Sequence, residues 1–179
     1  MAEFLWIFWS FSLLGWVLER LFAAVTRSPR RRRRCLLLLP LCPVYGLGMA
    51  AVLALPPSLR SGWPLYLWGG LTATSVEYIY HWWGETFLGV SFWDYTGVFG
   101  NFRGRVCLPF SLAWGLLLFP AVYLVTPPVG ALADRVPIGV TWWLLLTFTA
   151  DAVCSLRFLA VTHDLEALRA VIWPVSADR

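Results

Sequence analysis

Five long apolar runs dominate this chain of 179 residues and restrict what it can fold into. They cover residues 4–25, 35–55, 63–83, 106–125 and 138–160. Each run is about 20 residues long, and as a helix it would cross the ~30 Å hydrocarbon core of a bilayer. The runs are continuously apolar, whereas the strands of a membrane barrel alternate over ~10 residues. The sequence therefore predicts an all-α polytopic transmembrane helical bundle with about five spanning helices.

The composition excludes the soluble and the disordered classes. Hydrophobic residues make up 59% of the chain and charged residues 13%, whereas an ordinary soluble domain has about 25% charged residues. Disordered chains lack apolar residues, and this chain has a mean hydropathy of +0.69. All fourteen basic residues are arginines. A phosphate-binding Walker A loop requires a lysine, so the chain does not hydrolyse ATP through such a loop.

The arginines are distributed unevenly between the predicted loops. Most lie in the first loop, in the third loop, and at or beyond the last run: Arg27, the run from Arg30 to Arg34, Arg103, Arg105, Arg157, Arg169 and Arg179. The second and fourth loops contain only Arg60 and Arg135. Because cytoplasmic loops are rich in arginine, we expect a multipass protein of the cell (plasma) membrane, with its amino terminus outside and its carboxyl terminus in the cytoplasm.

This topology divides the chain into a transmembrane helical domain (1–162) and a short cytoplasmic interfacial tail (163–179). Leu165, Leu168 and Ile172 recur at helical spacing and predict a short interfacial helix in the tail. The expected partners are the lipid bilayer and anionic lipid headgroups at Arg30 to Arg34, where each arginine adds roughly 1 kcal/mol. Five helices enclose little space, so we also expect a homo-oligomer or a separate ATPase subunit. Nucleic acid is not an expected partner, because the arginines lie at the ends of apolar runs.

The four cysteines lie at the inner ends of runs or within them: Cys35, Cys42, Cys107 and Cys154. Cytoplasmic and lipid-buried thiols stay reduced, so we expect no structural disulfide.

The second and fourth apolar runs begin alike. Both start near an arginine cluster and continue with a Leu-Pro pair and then an aromatic-Gly pair, Tyr45-Gly46 and Trp114-Gly115. The runs before them carry a carboxylate near the inner end, Glu19 and Glu85. Two explanations stay open. One is a parallel repeat of two-helix units about an axis along the membrane normal, and the other is chance similarity in a biased composition.

Four carboxylates fall within the apolar runs or at their inner edges: Glu19, Glu77, Glu85 and Asp151. A charge at the bilayer centre costs about 2.5–3.5 kcal/mol, so these groups should face the bundle interior. Glu77, His81 and Glu85 share one helix face. The two glutamates are ~12 Å apart along the axis, too far to share one ion. We therefore expect a hydrogen-bonded polar stripe, and no metal or cofactor site.

The third loop combines aromatic, charged and glycine residues, including Trp93, Asp94, Tyr95, Asn101 and Arg105. Aromatic rings alone would be typical of a membrane interface. The polar side chains exceed what an interface needs, because Asp94 can accept hydrogen bonds from an arginine and the glycines allow tight turns. A structured, partly re-entrant loop and a plain solvated turn are both compatible with these residues.

Several stretches together resemble the ABC-transporter type IV (CmpB) family of multipass membrane proteins. They are Gly15-Trp16-Val17-Leu18-Glu19, Cys42-Pro43-Val44-Tyr45-Gly46-Leu47-Gly48, Glu77-Tyr78, Glu85, Trp93-Asp94-Tyr95-Thr96, Asn101, Gly104-Arg105 and Ser111-Leu112-Ala113-Trp114-Gly115. The arginine run at 30–34 and His81 depart from the family pattern. The resemblance implies a membrane permease component.

The preferred function is a permease-like component of a transport system with a carboxylate- and arginine-lined polar site near the cytoplasmic leaflet. The candidate substrate-binding residues are Glu19, Glu77, Glu85, Trp93, Asp94, Tyr95, Asn101, Arg105 and Asp151. No catalytic residue is predicted, since the chain has neither a Gly-x-Ser-x-Gly elbow nor a His-Glu-x-x-His pair. Two alternatives stay open: an intramembrane enzyme acting on a lipid-like substrate, and a non-transporting scaffold subunit whose polar residues serve helix association.

Overall fold

Helices account for most of the computed structural model, which describes residues 2–26 and 35–170. They are α1 (Ala2–Thr26), α2 (Pro43–Leu53), α3 (62–88), α4 (Leu108–Ala133), α5 (Ile138–Thr162) and α6 (Leu165–Ala170). Helix α3 alternates between α-helical and π-helical segments, which are Gly62–Pro64 (α), Leu65–Gly69 (π), Gly70–Trp83 (α) and Gly84–Leu88 (π). Helix α4 contains one π-helical segment, Ala121–Val125. A short 3₁₀ helix covers Pro57–Leu59. The arginine run at 30–34 and Ile172 lie outside the described residues.

The all-α membrane architecture predicted from the apolar runs is confirmed. Three of the described helices are long and apolar enough to cross a membrane: Ala2–Val25, Leu108–Ala133 and Ile138–Thr162. The first covers the first apolar run, the second covers most of the fourth, and the third covers the fifth. Helix α3 covers the third run and carries the predicted polar residues Glu77, His81 and Glu85.

The second apolar run is not one continuous helix. Its helix, Pro43–Leu53, has 11 residues and is only ~16 Å long, while residues 35–42 are unwound. The physical reason is the pair Pro40 and Pro43, because proline lacks the backbone N–H and disfavours helix at the residue before it. The run therefore consists of an unwound half followed by a helical half.

The expectation of four reduced thiols is wrong, because Cys35 and Cys42 form a disulfide. Their Cα atoms are 5.1 Å apart, whereas residues seven apart in a continuous helix would be separated by ~10.5 Å along the axis. The unwound backbone thus makes this bond geometrically accessible. Cys107 and Cys154 are not disulfide-bonded; the side chain of Cys107 is buried and that of Cys154 is exposed.

The first four helices form a ring in which each contacts the next. Helix α1 packs along α2, α2 along α3, α3 along α4, and the last turns of α4 return to α1. Helix α2 runs antiparallel to α1: Tyr45 at its start contacts Gly15, while Val52 near its end packs in the same apolar cluster as Ile7. The tail helix α6 buries Leu165 and Leu168 in the core formed with the unwound segment and the third loop.

Glycines permit the closest approach between the helices of each pair. At Gly46 of α2, a Cβ atom would collide with the backbone oxygen of Phe8 and the hydroxyl of Ser12 in α1. At Gly115 of α4, a Cβ atom would lie 2.8 Å from the backbone oxygen of Tyr66 in α3. Helix α2 therefore packs on α1 in the manner in which α4 packs on α3.

In each pair the glycine contacts a residue that precedes a glutamate by the same number of positions. Glu19 lies as far along the chain from Phe8 as Glu77 lies from Tyr66. A repeat of two-helix units stays a prediction; this spacing pairs Glu19 with Glu77, whereas the sequence pattern pairs Glu19 with Glu85.

Candidate functional site

Glu77 is a carboxylate buried in the middle of the helical ring. Its side chain is 2% exposed. The indole Nε1 of Trp114 in α4 donates a hydrogen bond of 2.8 Å to Oε2, and the hydroxyl of Tyr95 in the third loop donates one of 3.2 Å to Oε1. Burying a carboxylate is expensive unless its oxygens are hydrogen-bonded, and these two donors meet that requirement.

Glu85 and Arg105 form an ion pair two turns farther along α3. The guanidinium Nε of Arg105 lies 2.7 Å from Oε2 of Glu85, and its other arm donates a 2.8 Å hydrogen bond to the hydroxyl of Tyr78. The hydrogen bond to Glu85 raises the pKa of the Arg105 guanidinium above its ordinary value. Trp93 donates a 2.7 Å hydrogen bond to the backbone oxygen of Arg105. These bonds fasten the third loop to α3.

His81 lies between these two carboxylates on the same helix face, as its spacing predicted. Its Nε2 lies 3.0 Å from Oε1 of Glu85 and 3.2 Å from the hydroxyl of Ser91. In a nucleophile–histidine–acid relay the acid binds the ring nitrogen opposite the nucleophile. Here carboxylate and hydroxyl meet the same nitrogen, so the geometry does not favour nucleophilic catalysis at Ser91.

The third loop is structured rather than a plain solvated turn. Asp94 accepts a 2.8 Å hydrogen bond from the backbone N–H of Thr96, and Asn101 bonds the backbone of Val98 and Gly104. A two-stranded antiparallel hairpin, β1 (Asn101–Phe102) and β2 (Val106–Cys107), follows. Gly104 has a φ of +68°, and a Cβ there would lie 3.1 Å from Oδ1 of Asp94. Asp94 and Asn101 are exposed and shape the loop.

Asp151 stands apart from the other predicted site residues. It lies on α5, where its carboxylate accepts hydrogen bonds from the backbone N–H groups of Leu38 (3.2 Å) and Leu39 (3.0 Å) and from the hydroxyl of Ser155 (3.1 Å). Backbone groups of an unwound segment at membrane depth need internal partners. Asp151 supplies them, so its place in an apolar helix has a structural explanation.

Glu19 is paired with an aromatic residue, as Glu77 is. The hydroxyl of Tyr45 donates a hydrogen bond to Oε1 of Glu19. The rings of Tyr45 and Trp114 contact each other edge to face, with centroids 5.3 Å apart. The Glu19–Tyr45 and Glu77–Trp114 pairs therefore meet through their aromatic rings.

Two adjoining cavities lie beside this contact. The larger has a volume of about 340 Å³, and its lining comes from α1, α2, α3 and α4 and includes Phe11, Leu14, Leu18, Val44, Tyr45, Met49, Ala73, Glu77, Trp114, Leu117 and Leu118. The smaller has a volume of about 140 Å³ and contains Glu19 and Tyr95 in its lining. Leu18, Tyr45, Trp114 and Leu117 line both cavities.

Comparison with known families agrees with this architecture. The model of the family described as "Putative ABC-transporter type IV" matches residues 6–156. The chain belongs to this family. No curated protein and no solved structure gives a significant match. The family match covers α1 from Trp6 onward, the other three helices of the ring and most of α5, and it ends before the tail.

The sequence predicts the carboxylates and the loop residues of the site, including the partners Tyr95 and Arg105, but it does not predict three other partners. Tyr45, Tyr78 and Trp114 were absent from the candidate residues, although each donates or accepts a hydrogen bond there. The family resemblance could have indicated these three residues, because all of them lie within the sequence stretches that carry it. Among the residues that the structure describes, no three His, Cys, Asp or Glu side chains are grouped as a metal site would require.

Proposed function

We propose that this chain is a permease-like component of a transport system and that its substrate path runs through the two adjoining cavities. The observation that carries the proposal is Glu77, a carboxylate 2% exposed in the wall of an otherwise apolar cavity. Ionisable groups at membrane depth typically mark substrate or ion paths. Glu19 supplies a second carboxylate in the smaller cavity. Two carboxylates favour a cationic or polar solute.

The unwound half of the second run supports the proposal. Transporters commonly build substrate sites from discontinuous helices, whose irregular backbone is tolerated where it lies within protein or beside a cavity. Residues 35–42 lead directly into α2, whose residues Val44, Tyr45, Gly48 and Met49 line the larger cavity.

The Glu85–Arg105 ion pair has a supporting role in this proposal. It holds the third loop against α3, so that Tyr95 of that loop reaches Glu77. Under the predicted topology the third loop is cytoplasmic, and the ion pair therefore lies at the inner end of the path.

A counterflow assay in vesicles tests the proposal. In this assay a labelled solute exchanges with an unlabelled solute inside the vesicles, so the transport that is measured needs no energy source. Purified protein is reconstituted into vesicles preloaded with unlabelled tetraethylammonium, and entry of the radiolabelled cation is followed. We expect uptake above that of empty vesicles, and loss of most of it in Glu77→Gln, which removes the charge but keeps oxygen and shape. Asp134→Asn, an exposed carboxylate at the turn between α4 and α5, should transport normally.

Other results would contradict the proposal. Uptake that survives Glu77→Gln excludes the cavity carboxylate as part of the path. Absence of counterflow, together with co-purification of a second subunit, would indicate the scaffold function, and turnover of a lipid without flux would indicate an enzyme.

The arginine distribution supports an orientation with the amino terminus outside and the carboxyl terminus in the cytoplasm. Labelling of intact cells with a membrane-impermeant maleimide tests it, with Cys107 and Cys154 replaced by serine. Ser58→Cys, between α2 and α3, should react, and Thr96→Cys in the third loop should not. The reverse pattern contradicts this orientation.

A further inference from the structure

Helices α1 and α4 contact each other at both ends and separate between these contacts. At one end, a Cβ atom on Gly130 of α4 would lie 3.3 Å from Oε1 of Glu3 in α1. At the other end, the rings of Phe22 and Phe110 meet with centroids 5.8 Å apart. Within the described residues, the first part of α4, Leu108–Pro120, hardly approaches the backbone of α1. The pair therefore leaves a lateral gap between residues 14–21 of α1 and residues 117–120 of α4.

The residues of the lateral gap belong both to the larger cavity and to the outer surface. Six residues line that cavity and are exposed as well, and all of them lie on α1 or α4: Leu14, Val17, Leu18, Leu21, Leu117 and Pro120. Their side chains carry neither charge nor a hydrogen-bonding group. The outer face of a membrane-spanning helix meets hydrocarbon, so the molecule with access to the gap from outside is lipid.

The larger cavity has the length of one leaflet of the bilayer. Its lining on α1 extends from Phe11 to Leu21, which is ~15 Å along a helix axis and half of the ~30 Å hydrocarbon core. Its volume is about 340 Å³, at the small end of the ~300–1,000 Å³ that ligand pockets span. These dimensions suit a single acyl chain that lies along the helices.

The irregular part of α4 borders the same cavity. Pro120 lines the cavity, and a proline within a helix removes one backbone hydrogen bond and displaces the preceding turn. The π-helical segment Ala121–Val125 follows, and both of its end residues belong to the lining. Single π-helical turns within a helix are frequent at functional sites. The position of this irregularity supports a binding role for the cavity.

Arg20 places a positive charge beside the lateral gap. It is exposed on α1, directly before the lining residue Leu21 and three positions after the lining residue Val17, so it adjoins them on the helix surface. Its guanidinium lies 5.0 Å from the ring centroid of Trp16. A guanidinium stacked on a ring keeps its N–H groups at the edge, where they can bind phosphate. Charge complementarity therefore favours an anionic headgroup at this end of the gap.

We propose that the lateral gap binds one acyl chain of an anionic phospholipid from the bilayer, with the chain along Leu14, Leu18 and Leu117 and the phosphate at Arg20. The chain completes the wall that the ring of helices leaves open, on the side away from the buried Glu77. This lipid site goes beyond the proposed function and does not rest on it, because lipid binding is measured without flux.

Photolabelling in nanodiscs tests the lipid site in the unaltered protein. The full chain is placed in phosphatidylcholine nanodiscs that contain a small fraction of phosphatidylglycerol with a diazirine in one acyl chain. After irradiation, mass spectrometry locates the attached lipid. We expect attachment at the cavity-lining residues of α1 and α4 to exceed that at Trp143 and Leu146, which are exposed on α5, by about threefold or more. Equal attachment on the three helices would indicate ordinary boundary lipid and overturn the inference.

A variant that fills the cavity provides the second test. Gly48 of α2 lines the cavity and has nothing within 4 Å of a Cβ atom placed there, so Gly48→Leu occupies the space of the acyl chain. The matched control is Gly139→Leu, since Gly139 of α5 is equally unobstructed and lies outside the cavity lining. We expect attachment at α1 and α4 to fall about threefold or more in Gly48→Leu only. Equal labelling of the two variants overturns the inference.

The role of Arg20 is tested by the charge of the headgroup. We expect the unaltered protein to prefer the phosphatidylglycerol probe over phosphatidylcholine with the same labelled chain by about three- to tenfold. Arg20→Gln should lose this preference, and Arg135→Gln, at an exposed arginine between α4 and α5, should retain it. An unchanged preference in Arg20→Gln contradicts the anionic headgroup. Labelling of the gap without tetraethylammonium counterflow would leave the lipid site standing and remove the transport proposal, and counterflow without such labelling would do the reverse.

Discussion

Asp151 on α5 accepts a 3.0 Å hydrogen bond from the backbone N–H of Leu39 in the unwound segment. The same carboxylate binds the adjacent N–H of Leu38, so one side chain satisfies two backbone donors that no helix could satisfy at that point. An acidic residue in an apolar helix thus stabilises a neighbouring stretch of irregular backbone.

Asp151→Asn should therefore destabilise the fold. An amide has one acceptor oxygen, so one of the two N–H groups would face an NH₂ group and lose its partner. We expect a loss of about 1–3 kcal/mol of unfolding free energy, measured by denaturant unfolding in detergent. Asp134→Asn serves as the control and should stay within about 0.5 kcal/mol. Equal stability of the two variants would contradict the role given to Asp151.

Trp114→Phe should destabilise the protein through Glu77. The substitution retains an aromatic ring but removes the N–H donor 2.8 Å from Oε2 of a buried carboxylate. We expect a cost of about 1–3 kcal/mol, seen as a lower melting temperature. Trp143→Phe is the matched control, because Trp143 is 73% exposed on α5. If Glu77→Gln does not reduce the cost of Trp114→Phe, the hydrogen bond is not its source.

The ion pair between Glu85 and Arg105 should show up in a double-mutant cycle. Its two side chains are 35% and 14% exposed, so water screens it only in part. We expect a favourable coupling between the two sites, so that the double variant Glu85→Gln/Arg105→Gln loses less stability than the sum of the two single variants. Arg105→Lys should recover little of it, because lysine cannot bind Glu85 and Tyr78 with a rigid fork. Strictly additive effects would show that the pair does not fasten the loop.

The disulfide predicts a definite pattern of thiol labelling. In denatured, unreduced protein a maleimide should modify Cys107 and Cys154 only, and after reduction it should modify Cys35 and Cys42 as well. Intact-mass spectrometry separates the two results. Labelling of all four cysteines before reduction would contradict the bond.

Gly46 should not tolerate even a methyl group. Its Cβ would meet the backbone oxygen of Phe8, which cannot move without shifting α1. We expect Gly46→Ala to cost about 1–3 kcal/mol. Gly48→Ala, in the same helix with nothing within 4 Å of its Cβ, should be neutral or stabilising by up to about 1 kcal/mol. Similar behaviour of the two variants, by melting temperature, would remove the close contact as an explanation.

Much of the architecture follows from residue order alone. The first, fourth and fifth apolar runs predict α1, α4 and α5, because a run of that length and polarity is stable in lipid only as a helix. The spacing of Glu77, His81 and Glu85 places them on one face, and His81 and Glu85 do meet there. The third loop combines glycines at positive φ with polar side chains that form hydrogen bonds to the backbone of the same loop. Its conformation therefore depends on residues that are close in sequence.

Only the tertiary structure decided which groups meet across the bundle. Trp114 reaches Glu77, Tyr45 reaches Glu19, and Asp151 reaches the backbone at Leu39, and each of these bonds joins residues on different helices or segments. Sequence spacing specifies neighbours along one helix, but it carries no information on how two helices are rotated against each other. That rotation depends on where glycines such as Gly46 allow close approach. A buried carboxylate such as Glu77 then forms hydrogen bonds with the donors that this packing brings within reach, because an unsatisfied buried charge is costly.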